Sequence, residues 1–169
     1  MEKADFSKFG KVFQDKLTYL ILTERAFANQ IGEVLDINFL EFKYLQTIVR
    51  SIYDYKEKYE VYPSLKIMAS LIRNEVSDEI VKEQSKEYLI SVLSDSSIIE
   101  DCEYVKETSL DFCKKQKLKE AMLTSVKLLN RSSFDEISTV INEALKLGSD
   151  NDFGYDYKLD FEERFQIRQ

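Results

Sequence analysis

Residues Ile98 to Gly148 read IIEDC EYVKETSLDF CKKQKLKEAM LTSVKLLNRS SFDEISTVIN EALKLG, and their reading decides the fold. In the first half Leu118, Met122, Ser125, Val126 and Leu129 recur at three- and four-residue steps, the spacing of one helix face. Ile98, Cys102, Val105 and Phe112 carry a stripe of similar period back toward the start. In the second half Phe134, Ile137, Val140, Ile141, Ala144 and Leu145 repeat the pattern. At the joint, Ser133 stands three residues before Glu136, a capping box in which each side chain satisfies the other's backbone N–H. Gly148 follows Leu147, where a left-handed helix stop costs least. The stretch is expected to be two helices folded back on each other. Its apolar residues occupy more than one face and need a cover. Two covers are open: the rest of this chain, or a second copy.

Upstream, the spacing predicts five short amphipathic helices. Residues 1–10 are polar apart from Phe6 and Phe9 and are expected to be a frayed lead-in. Phe13, Leu17, Leu20 and Ile21 share one face, and Phe27, Ile31, Val34 and Leu35 share the next after a restart at Thr23–Glu24. A longer helix carries Phe39, Phe42, Leu45, Val49, Ile52 and Tyr59, and must end near Glu60 because Pro63 pushes Tyr62 out of the helical region. Ser64 can cap a fourth helix with Ile67, Met68, Leu71 and Ile72 inward. Ser77 or Asp78 can cap a fifth, with Val81, Tyr88, Leu89, Val92 and Leu93 inward. Residues 94–97 form a break. The expected fold is all-α: a small helical globule over residues 1–97, a helical hairpin over 98–148, and a linker with a C-terminal helix over 149–169. In that last segment Phe161 and Phe165 lie four apart on one helix face and have little to bury against.

Composition agrees with helices. The 169 residues include only 4 Gly and 1 Pro, too few for a protein built of strands and turns. The formal net charge of −7 supplies no overall basic surface for DNA phosphates. There is no His, which removes the commonest general base and metal ligand. Cys102 and Cys113 are separated by about three helical turns, roughly 16 Å of rise, too far for a disulfide. They read as core thiols of a reduced, intracellular protein. No apolar run approaches the length of a membrane span.

Motifs for chemistry are equally scarce. There is no G-x-x-x-x-G-K-[ST], no G-x-G-x-x-G, no C-x-x-C and no H-E-x-x-H. The paired acids Asp78/Glu79, Glu100/Asp101 and Asp135/Glu136 each stand near an expected helix start, where negative charge is favoured. Capping, not catalysis, is the expected role. Lys114, Lys115, Lys117 and Lys119 spread around a helix and read as a solvated surface. Tyr53, Tyr55, Tyr59 and Tyr62 bunch together with no Arg or Lys expected on the same face, so they read as a globule edge or interface.

The order of these parts resembles the N-terminal region of DnaB-type replicative helicases, with the phage branch the nearest. Phe39-Leu40-Glu41-Phe42 opens the long helix that runs through Tyr53-Asp54-Tyr55 to Tyr62-Pro63-Ser64. Lys119-Glu120-Ala121-Met122 opens the late half of the first arm, and Phe134-Asp135-Glu136-Ile137 opens the second. Gly154-Tyr155-Asp156-Tyr157 leads into Phe161-Glu162-Glu163-Arg164-Phe165, where the family has its linker helix. The phosphate-binding loop is absent, so the resemblance implies an N-terminal fragment ending inside that helix.

The resemblance further implies a cytoplasmic domain without ATPase chemistry, whose hairpins pair between subunits and close a collar of three dimers on a hexameric ring. ATP and Mg would belong to the absent motor domain of an ATP-dependent 5'-3' helicase, and single-stranded DNA to the full-length ring alone. The collar would dock primase and a helicase loader, with no membrane partner. The hairpin interface would then comprise Phe112, Leu118, Met122, Val126, Leu129, Phe134, Ile137, Ile141 and Leu145, and the linker helix would dock through Phe161 and Phe165. The competing reading is a stand-alone helical adaptor or inhibitor that binds a host protein through the hairpin. No catalytic, cofactor-binding or metal-ligating residue is expected in the chain.

Overall fold

Short polar side chains start several of the helical segments in the computed structural model, which describes residues 4–129 and 134–148. Helix α1 spans Gly10–Thr23, α2 Arg25–Gly32, α3 Lys43–Tyr59, α4 Leu65–Glu75, α5 Glu79–Ser94, α6 Cys102–Leu129 and α7 Phe134–Lys146. Single 3-10 turns lie at Phe6–Phe9, Ile37–Phe39 and Ser96–Ile99. No strand occurs among the described residues, and the fold is all-α. Ser64 Oγ accepts from Ile67 N at 3.2 Å to start α4. Asp78, not Ser77, starts α5 by accepting from Ile80 N and Val81 N at 2.9 and 3.2 Å. Helix α3 stops at Tyr59, where Glu60 turns left-handed at φ 63° and its carbonyl accepts from Lys56 Nζ. Gly148, at φ 74°, follows α7 as expected.

The chain divides into two compact units, one ending at Asp111 and the next starting at Phe112. The expected boundary was 97/98. The difference lies in the first three turns of α6, which join the first unit. Val105 and Ser109 are buried there, Lys106 Nζ lies 2.5 Å from Glu24 Oε2, and Tyr104 meets the Phe13 ring edge-on. Lys16 Nζ reinforces the join by donating to the carbonyls of Ser97 and Glu100 at 3.2 and 2.7 Å.

Leu17, Leu20, Ile21, Ile31, Leu45, Ile48, Ile52, Met68 and Ile72 are fully buried in the first unit. They come from one face each of α1 to α4, as the periodicity requires. Phe6 is also fully buried, capped by Asp5 and packed edge-on against Phe39 at 5.8 Å. The segment around it is therefore part of the core and not a frayed lead-in. Other expected positions turn outward: Leu93 and Tyr59 are exposed, Ile67 is exposed, and Phe42 precedes α3 as its half-buried N-cap residue. Polar residues take core positions as well, Gln14 and Thr18 on α1 and Ser85 on α5, all without exposure. The Thr18 hydroxyl bonds back to the Gln14 carbonyl at 3.0 Å.

In the second unit, Phe112, Cys113, Ala121, Ser125 and Ala144 are buried. Ser125 Oγ donates to the Ala121 carbonyl at 2.8 Å, so a hydroxyl on the inner side of α6 carries its own acceptor. Ser133, one half of the expected capping box, lies outside the described residues.

Candidate assembly surface

Among the described residues, the late half of α6 and parts of α7 leave apolar side chains exposed. Met122, Val126 and Leu129 fall at four- and three-residue steps, so one face of α6 carries all three. Each is more than half exposed. Phe134, Ile141 and Leu145 share a face of α7 at steps of seven and four, with Phe134 76% exposed and Leu145 59%. Leu118, Ile137 and Ile141 are half-buried, and Phe112 is buried. Of the nine interface positions expected from the sequence, five are open, three partly covered and one closed. Leu123 is exposed as well and was missed, because it sits at the border of the Met122–Val126 face. Phe161 and Phe165 lie outside the described residues.

Single exposed apolar residues are ordinary on any protein. Two adjacent helical segments that expose leucine, valine, methionine and phenylalanine on regular faces are not, since each side chain left in water forfeits about 1.5–3 kcal/mol of burial. Unit one has exposed apolar positions too, among them Ile80, Ile90 and Leu93 on α5, but they do not form such a periodic set.

Several polar groups in the first unit have structural partners. Asp78 caps a helix, and Asp101 places its carboxylate 3.8 Å from Lys16. Hydrogen bonds from Ser97 hold the Asp95 carboxyl below the usual carboxylate range. Burial pushes the Tyr88 hydroxyl well above its ordinary value, and Tyr44 rises for the same reason, with Asp15 adding to both. Lys106 is raised mainly by its hydrogen bond to Glu24. No group of three or more acids or cysteines able to hold a metal occurs among the described residues. No described helix is long and apolar enough to cross a membrane. Cys113 is buried and Cys102 half-buried.

The tyrosine bunch differs from its expected form. Arg25 and Lys56 stack over the Tyr62 ring at 5.2 and 5.1 Å, and Lys58 lies over Tyr59. Cations therefore do share that edge: Lys56 and Lys58 come from α3 itself, while Arg25 comes from α2, 37 positions before Tyr62 and out of reach of any local pattern. Tyr62 bonds to Asn29, and Tyr53 donates to the Ala28 carbonyl at 2.7 Å. The Tyr53 bond fastens α3 to α2, and the Tyr62 contacts fasten the segment after α3 to α2, a structural use of these two rings.

No protein-family model matches the chain, and no curated protein matches it. The residues themselves thus carry the functional reading.

Proposed function

We propose that this chain is the assembly and partner-docking domain of a ring-shaped replicative DNA helicase of the DnaB type. The observation that carries the reading is the open apolar face of α6 and α7, at Met122, Val126, Leu129, Phe134 and Leu145. A helical segment with such a face reaches its free-energy minimum only when a second surface covers it. A second copy supplies an identical apolar face, and closed two-fold pairing is the commonest way proteins use one. Three such pairs would form the collar, with primase and a loader docking on it.

The composition of the chain supports a role in assembly. The chain has no phosphate-binding loop, so ATP and Mg would belong to a motor domain joined to it. Its formal net charge of −7 supports protein contacts over direct capture of nucleic acid.

The test is sedimentation of the unaltered chain against the double variant Val126→Asp with Leu145→Asp. Both residues are exposed, so the fold should survive, as far-UV circular dichroism checks. Concentration-dependent association that the double variant loses supports the reading. A monomer at all concentrations, together with a defined complex with a different protein, favours the adaptor alternative.

A further inference from the structure

We draw no further inference here: the strongest candidate, the cavity of the first unit lined by Asp15, Tyr44, Glu87 and Tyr88 from α1, α3 and α5, has its buried hydroxyls and Asp15 already bonded to one another and to Lys11, and nothing among the described residues points to a ligand for it.

Discussion

Gln14 and Glu41 hold each other across 27 residues: Gln14 Nε2 donates to Glu41 Oε2 at 2.8 Å, and Glu41 N donates to Gln14 Oε1 at 2.9 Å. The same amide nitrogen reaches the Gly10 carbonyl at 3.2 Å. One fully buried side chain thus fastens the connection ahead of α3 onto the start of α1. Replacing it by Met keeps the volume and deletes every bond, leaving the part-buried Glu41 N–H without its acceptor. Gln14→Met should cost about 1–3 kcal/mol in urea denaturation. A cost near zero would mean that the amide bonds carry no net stability.

Gly32 ends α2 beneath the Tyr53 ring. A Cβ at Gly32 would stand 2.9 Å from Tyr53 Cε1, a clash, while the ring is held by its bond to the Ala28 carbonyl. In an open helix, Gly→Ala stabilises by about 1 kcal/mol. Here the sign should reverse. Gly32→Ala alone should destabilise by about 1 kcal/mol or more, and in a Tyr53→Ala background it should become neutral or stabilising. A double-mutant cycle by chemical denaturation reads both signs.

Ser85 Oγ is buried on α5 and has no hydrogen-bond partner among the described residues. Ser85→Ala removes an unsatisfied hydroxyl and improves helix propensity. The variant should be more stable by about 1 kcal/mol, a gain visible as a raised denaturation midpoint. A loss of similar size would show that the hydroxyl has a partner in solution.

Alkaline pH should loosen the first unit through two tyrosines. Tyr88 donates to the Asp15 carbonyl at 2.6 Å and Tyr44 to the Asp15 carboxylate at 2.9 Å. Burial raises both hydroxyls above the ordinary 10.0, and the negative charge of Asp15 raises them further. The unfolded chain therefore gives up these protons first. Stability should be full below pH 10 and fall as pH climbs from 10 toward the raised folded values. Each proton steepens the fall by up to about 1.4 kcal/mol per pH unit. Tyr88→Phe and Tyr44→Phe should flatten the loss measured by denaturation between about pH 9 and about pH 11.

Local signals were legible in the sequence. Ser64, Asp78, Pro63 and Gly148 mark helix boundaries through their own backbone chemistry, and the structure places each where that chemistry predicts. Long-range pairings were not legible. Gln14 reads as the polar side of α1 until Glu41 is known to meet it. Phe6 reads as a stray aromatic until Phe39 closes over it. Leu93 was placed inward because α5 has apolar residues around much of its circumference, and periodicity alone does not say which side is wet. The unit boundary shifted for a related reason: the α6 stripe is continuous, and only the contacts of Tyr104, Val105 and Lys106 assign its first turns. The apolar face of α6 and α7 was visible as a pattern, while its exposure needed coordinates.

We propose that a second copy covers the apolar faces of α6 and α7, which carry Met122, Val126 and Phe134. Sedimentation equilibrium of the unaltered chain, from micromolar to near-millimolar concentration, measures this directly. The mass should rise from the 19.9 kDa of one chain to at least twice that value, and Val126→Asp with Leu145→Asp should return it to one chain. A mass that stays at a single chain throughout would contradict the account.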